Sequence, residues 1–441
     1  MSQIINLRFL IYFFTILFCL TYFYNESFAN TFIRTAFFLG LIQIIKNKRI
    51  EINFIFYKKY LIPIFIFFII LFLNLFSSKD FCNSILTYEA FLKTLIPFFT
   101  ILLYINEKKI IYIIFIALLL GFIFNDICAI YNYFFYNYDR IGGFNNQIVT
   151  FAGMSLLHIP IILLFLFNKK IKSKLILSLF LISLIISLTA LIFNATRMAW
   201  LIIIIDCIII NILLIKSYKK KFFILLLIFL SVISLYSFNN NINNRINNLF
   251  DSNSVSTQGH YYYLRDGFKI FLDNKYFGIG LNNFQKIMLT NNYLSIESKN
   301  NLQQDGAIKI DNMLVMSHAH NDIIMFLIEN GIIGGMSYIF LFTTIIYFSL
   351  KNYIYTNNII CLAMLLISIN FFIRGLSDYN FAMLNVVTIY FFILSIYLKY
   401  LSMIKQFCNT IKSYNSKYIF LLYIGIIFVI LLRIISRYFF M

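Results

Sequence analysis

The amino-acid sequence predicts an all-α polytopic membrane protein with about twelve or thirteen transmembrane helices and one large outer loop. Three observations carry that expectation. The chain is 61% hydrophobic and only 12% charged, where soluble domains carry roughly 25% charged residues. Apolar runs of about 20 residues, the length a helix needs to cross the hydrocarbon, recur from end to end. Lysine clusters fall in every second loop between those runs.

In order, the spans fall at 4–24, 28–45, 60–76, 88–105, 110–135, 148–167, 175–193, 198–215, 222–238, 333–350, 359–374, 380–398 and 418–436. The first resembles a signal peptide in position, but it is long and no small-x-small cleavage site follows, so an uncleaved helix is expected. Only 3 Pro occur in the chain, as suits backbone that must bond internally in lipid. Abundant Phe and Tyr accompany Ile, Asn and Lys, a compositional bias rather than a stacking surface for nucleic acid.

The formal net charge of +19 is mostly topological. Lys46, Lys48, Arg49, Lys58 and Lys59 share one loop, Lys108 and Lys109 another. Further clusters are Lys169, Lys170, Lys172 and Lys174, then Lys216 and Lys219 to Lys221, then Lys351, then Lys399, Lys405, Lys412 and Lys417. By the positive-inside rule these loops are cytoplasmic and the alternate loops face out. Three regions follow: helices one to nine over 1–238, the large outer loop over 239–317, and an outer helix start with the remaining spans over 318–441. The loop spans about eighty residues, a length that is usually functional or disordered. It opens on an Asn-rich stretch (Asn239 to Asn244) and has helical spacing from Tyr261 to Leu272.

The outward side holds few cations, and four of them are Arg in a chain that otherwise uses Lys: Arg140, Arg197, Arg265 and Arg374. A guanidinium offers a planar fork that grips phosphate bidentately. Singly, each could snorkel to the interface or pair with an acid; four together favour an anion site. Ser317-His-Ala-His-Asn-Asp322 places His318 and His320 at an outer boundary, where an imidazole can take a proton from a hydroxyl. The helix that follows offers amides to an anion. A metal set of His318, His320 and Asp322 is disfavoured because no clear fourth ligand accompanies it. Glu89, Asp126 and Asp206 fall within spans, where buried partners are favoured over a proton pathway. The Cys residues are scattered without metal or disulfide spacing. No Walker loop, dinucleotide fingerprint or HExxH occurs, and no Asp-x-Asp pair of the kind that holds a metal-bound nucleotide sugar.

With these residues in view, the sequence resembles the O-antigen ligase and polymerase family of bacterial membrane glycosyltransferases. The resemblance rests on His320-Asn321, a gap of nine residues, then Gly331-Ile-Ile-Gly334. Gly278-Ile-Gly280 with Phe284, Thr196-Arg197, Arg265 upstream of the Gly-x-Gly stretch, and Arg140-Ile-Gly-Gly143 match further parts of the family pattern.

It implies a GT-C-like fold acting at the periplasmic face of the bacterial inner membrane. The donor would be an undecaprenyl-pyrophosphate-linked glycan and the acceptor lipid A-core, without cofactor or metal. His320 would be the general base, and Arg197 and Arg265 would bind pyrophosphate. Arg140, Arg374, Asn321, His318, Gly278 and Gly280 would contact substrate. Polymerases and enzymes that glycosylate pilin share this donor chemistry. A flippase or transporter would show inverted repeats and paired broken helices, which are not evident.

Overall fold

The computed structural model describes residues 2–47, 54–136, 138, 140–168, 171–214, 255–290, 293–304, 309–310, 313–314 and 317–404. The expected spans at 222–238 and 418–436, the Asn-rich stretch and Asp139 lie outside them, as do Lys48, Arg49, Lys169, Lys170, Lys216, Lys219 to Lys221, Lys405, Lys412 and Lys417.

The bundle runs α1 (Ser2–Thr21), α2 (Glu26–Asn47), α3 (Phe54–Asn74), α4 (Phe81–Lys93), α5 (Ile96–Tyr104), α6 (Lys108–Tyr136), α7 (Ile148–Leu166), α8 (Lys174–Asn194) and α9 (Arg197–Leu214). The outer loop contributes α10 (Val255–Asp273), α11 (Phe284–Thr290) and α12 (Ile296–Gln304). A two-residue antiparallel pair, β1 (Lys309–Ile310) with β2 (Met313–Leu314), accompanies them. The chain re-enters the bundle through α13 (Asp322–Thr356), α14 (Ile359–Arg374) and α15 (Leu384–Ser402).

Among the described residues nine segments are long and apolar enough to cross a membrane, α4 and α5 counting as one span broken near Thr94. Two shorter apolar helices, Leu7–Thr21 and Ile359–Arg374, fill the remaining expected positions. The protein is a multi-pass membrane protein. Lysine stands in the last turn of α2 (Lys46) and of α15 (Lys399), and Lys108 opens α6. Large apolar side chains such as Ile69, Leu73, Ile116, Leu120, Leu179, Ile182 and Phe340 remain exposed along the helices. In water such a belt would aggregate; in a bilayer it is the lipid-facing surface.

α15 and α7 lie at the centre, and Val387, Ile389, Phe391 and Leu394 of α15 are fully buried. The intramembrane acids have polar partners, as expected. Asp126 accepts from Ser187 at 2.5 Å and lies 2.9 Å from His158 Nε2. Asp206 accepts from Asn370 at 2.8 Å, and Glu89 pairs with Lys93 at 2.8 Å. Each partner offsets the cost of a carboxyl in a low-dielectric interior.

One helix departs from regularity, and it positions the site. Gly331 interrupts α13 with φ 66° and ψ −170°, a backbone region that an L side chain enters only with strain. A Cβ there would also overlap the Tyr276 carbonyl oxygen. The strap 275–280 uses the gap. Ile332 N donates to Lys275 O at 2.9 Å, Ile279 N to Ile328 O at 3.0 Å and Gly280 N to Glu329 O at 2.8 Å. Gly278 and Gly280, both at positive φ, pass close to the α13 backbone and to Ser78 respectively.

Candidate functional site

Asn321 caps α13: its Oδ1 accepts from Ile324 N at 3.0 Å, and its amide donates to Leu376 O at 2.9 Å. Both amide atoms are thereby committed to protein, so Asn321 sets where the helix starts. The next residue, Asp322, is fully buried and tied to Tyr338 Oη at 2.6 Å and to Asn380 N at 2.8 Å. That removes it from the histidines with which it was grouped as a metal set.

His320 precedes the cap with φ 51°. Its Nδ1 lies 3.4 Å from Asp378 Oδ1, in the turn between α14 and α15. Around it stand the rings of His318 (centroids 4.2 Å), His260 (4.8 Å) and Tyr263 (5.5 Å, nearly parallel). Three of the chain's 4 His therefore share one place. Burial first, then the neighbouring His320, pull His318 down to about 4, so it is neutral near pH 7. Burial alone would raise the Asp378 carboxyl. The His320 contact and the Arg374 guanidinium outweigh it and hold the group well below the usual carboxylate range.

The arginines fall into different settings. Arg374 is buried and donates to Val149 O at 2.8 Å and to Asn380, with Asp378 at 3.7 Å. Its fork is spent on protein, so it organises the turn that carries Asp378. Arg140 donates to Asn194 O and to Thr196 Oγ1, both at 3.2 Å. Asn194 in turn donates to Ile141 O at 2.6 Å and Ile148 O at 2.9 Å. These bonds fasten the Arg140 loop to the α8–α9 junction, whose first helical residue is Arg197. A continuous chain of contacts thus runs from Arg140 and Thr196 through the start of α7 to Arg374, Asp378 and His320.

Arg265 stands apart. It shares α10 with His260 and Tyr263 but lies about 140° and 200° from them around the helix axis. Its contacts are Asp266 at 3.2 Å, Ser295, and Glu297 at 3.3 Å. Asp266 is the buried anchor of that face, accepting from Ser295 N at 2.9 Å and Ser298 Oγ at 2.5 Å. The amide of Gly280 and the surroundings of Gly278 are likewise taken up by α13.

Sequence reasoning missed Asp378 as a partner of His320, and missed His260. An acid four residues beyond an outward Arg was visible, but nothing in the spacing joins it to a histidine in another outer segment.

A helical bundle that crosses the membrane many times, with an imidazole–carboxylate pair and guanidinium groups at one end, defines a polytopic membrane protein with a polar, cation-bearing rim. Residues 182–339 match the family model described as O-Antigen ligase, so over this segment, about a third of the chain, the protein is similar to that family. The matched segment contains Arg197, Arg265, Gly278, Gly280, His318, His320 and Asn321, and leaves Arg140 and Arg374 outside. No curated protein sequence matches the chain.

Proposed function

We propose that the protein is an O-antigen ligase that moves a glycan from undecaprenyl pyrophosphate to lipid A-core. It works in the bacterial inner membrane with its active end toward the periplasm, by a single inverting displacement. The observation that carries the reading is the His320–Asp378 pair, 3.4 Å apart, on the bundle end that also bears Arg140 and Arg197. With Nδ1 turned to the carboxylate, Nε2 is the nitrogen that accepts the acceptor hydroxyl's proton. The freed oxygen bonds to the anomeric carbon while the bond from that carbon to the pyrophosphate oxygen breaks. The electron pair leaves with undecaprenyl pyrophosphate, and Asp378 stabilises the imidazolium that forms.

Arg197 and Arg140 neutralise the departing diphosphate; such preorganised charge is often the largest catalytic contribution. Arg265, on the other side of α10 from His260 and Tyr263, is a peripheral contact that meets the diphosphate by exchanging Glu297 for phosphate. That ion pair is open to solvent and screened by it, so a dianion competes with it. His318, Asn321, Gly278 and Gly280 shape the site, and Arg374 positions Asp378. In the sequence the outer loop, 239–317, lies between the two helical regions, 1–238 and 318–441, and its described helices α10 to α12 cover the donor head group. Membrane lipid is the surrounding partner, and no nucleic acid is involved.

The test is transfer by the purified protein from lipid-linked glycan to three acceptors offered separately: lipid A-core, a second lipid-linked glycan, and pilin. Transfer to lipid A-core is expected. Transfer only to the second lipid-linked glycan makes the protein a polymerase, and transfer to none ends the enzymatic reading.

A further inference from the structure

We propose that His318, His320 and Asp378, with His260 beside them, form a binding site for a borderline transition-metal cation such as Zn²⁺, and that occupancy of this site stops glycan transfer. The inhibition rests on the reading of His320 as the base; the binding does not. One ligand atom from each of His318, His320 and Asp378 lies within 4.8 Å of the others. Four-coordinate Zn²⁺ with bonds of roughly 2.0 Å separates its ligand atoms by about 3.3 Å. The 3.4 Å between His320 Nδ1 and Asp378 Oδ1 is long for a hydrogen bond, yet it fits the edge of that tetrahedron.

His318 Nδ1 accepts only a 3.3 Å contact from the His320 amide, so ligation there gives up little. The remaining gap is within the sweep of an imidazole about its two side-chain torsions. His260, its ring centroid 4.8 Å from that of His320, stands on α10 where a fourth ligand would come from. Two or three imidazoles with one carboxylate suit Zn²⁺ and its neighbours rather than Mg²⁺ or Ca²⁺, which prefer oxygen. Arg374, 3.7 Å from the far oxygen of Asp378, leaves the near oxygen facing His320. An ion seated here binds Nδ1 of His320 and the carboxylate beside it, the ring hydrogen then sits on Nε2, and the acceptor hydroxyl loses its proton acceptor.

The experiment uses the full-length protein in detergent, stripped with EDTA and titrated with Co²⁺, then with Zn²⁺ in competition. Expected are one ion per chain, the intense visible bands of tetrahedral Co²⁺, and their loss as Zn²⁺ replaces it. His318→Gln and Asp378→Asn should each weaken binding about tenfold or more. A wild-type Co²⁺ spectrum identical to that of the free ion overturns the site without recourse to any variant, and wild-type affinity in both variants overturns it too. Transfer is then followed as Zn²⁺ is added, with inhibition expected at the binding midpoint and reversal by EDTA. Binding without any change in rate removes the inhibitory role. Absence of transfer even in EDTA removes the ligase reading and the inhibition with it, while the spectra still decide the metal site.

Discussion

The Nδ1 of His320 lies 3.4 Å from the Oδ1 of Asp378, although α13 and α14 separate the two in the chain. A base oriented by a carboxylate depends on both members. His320→Ala is expected to abolish transfer while the protein still inserts and folds. Asp378→Asn should lower kcat about 10²-fold with little change in KM, since proton transfer is impaired and donor binding is not. Rates per folded molecule check this; a wild-type kcat for Asp378→Asn refutes the pairing.

Arg197→Lys should cut transfer at least about tenfold without lowering thermal stability, because a point charge replaces a bidentate fork. Arg265→Lys should be milder in rate but should loosen α10 from α12, where the guanidinium meets Asp266, Ser295 and Glu297. Transfer kinetics beside melting curves in detergent separate the two effects, and identical behaviour of the two variants contradicts the expectation.

Asp266→Ala removes the acceptor for Ser295 N, Ser295 Oγ and Ser298 Oγ, the two hydroxyls on neighbouring turns of the outer domain. Loss of a buried acceptor on this scale costs about 1–3 kcal/mol. Faster proteolysis within 255–304, with the helical bundle intact, is the expected sign.

Gly331→Ala forces φ 66° on a residue with a Cβ and drives that atom into the Tyr276 carbonyl oxygen. The backbone alone costs about 1–3 kcal/mol, and the overlap adds to it. Little monodisperse protein should be recovered on size exclusion; a wild-type yield disproves the account.

Acid should weaken the fold around His318. Its folded value is about 4 against an ordinary 6.5, with burial the main cause. Between those values the unfolded chain holds the extra proton, so stability rises with pH across the window and is fully present above 6.5. The depressed Asp378 carboxyl acts in the same direction at lower pH. The melting temperature should therefore fall as pH goes from 6.5 toward 4, and His318→Gln should flatten the curve. A wild-type melting temperature independent of pH over this range would count against the assignment.

Most of the bundle was legible because lipid imposes a simple rule: length, apolarity and alternating lysines place each expected span that falls within the described residues. The polar knots inside it were legible in kind, since a buried acid needs a partner, but not in pairing. Nothing in sequence joins Asp126 to His158 or Asp206 to Asn370. At the candidate site, His320 and the Gly-x-x-Gly pattern stood out as a motif, while its physical reason did not. Gly331 makes room for the carbonyl of a segment far upstream, and Asn321 is fixed by the helix it caps. The bonds of Arg374 to Val149 and Asn380 were not legible, because a residue type shows capacity for phosphate and not whether neighbours have used that capacity. Asp378 was passed over because the meeting of two turns is a tertiary event.

The strap at 275–280 and the first turns of α13 are bolted together by three backbone bonds. What the chain does between Gly280 and His318 is therefore a closed excursion that leaves and returns to one fixed anchorage. Lengthening such an excursion is inexpensive, about 0.6 kcal/mol for each doubling, and it leaves His320 where it was. Insertions in that stretch should therefore leave the spacing of His320 and Asp378 unchanged, so the outer helices can be remodelled without disturbing the polar end of the bundle.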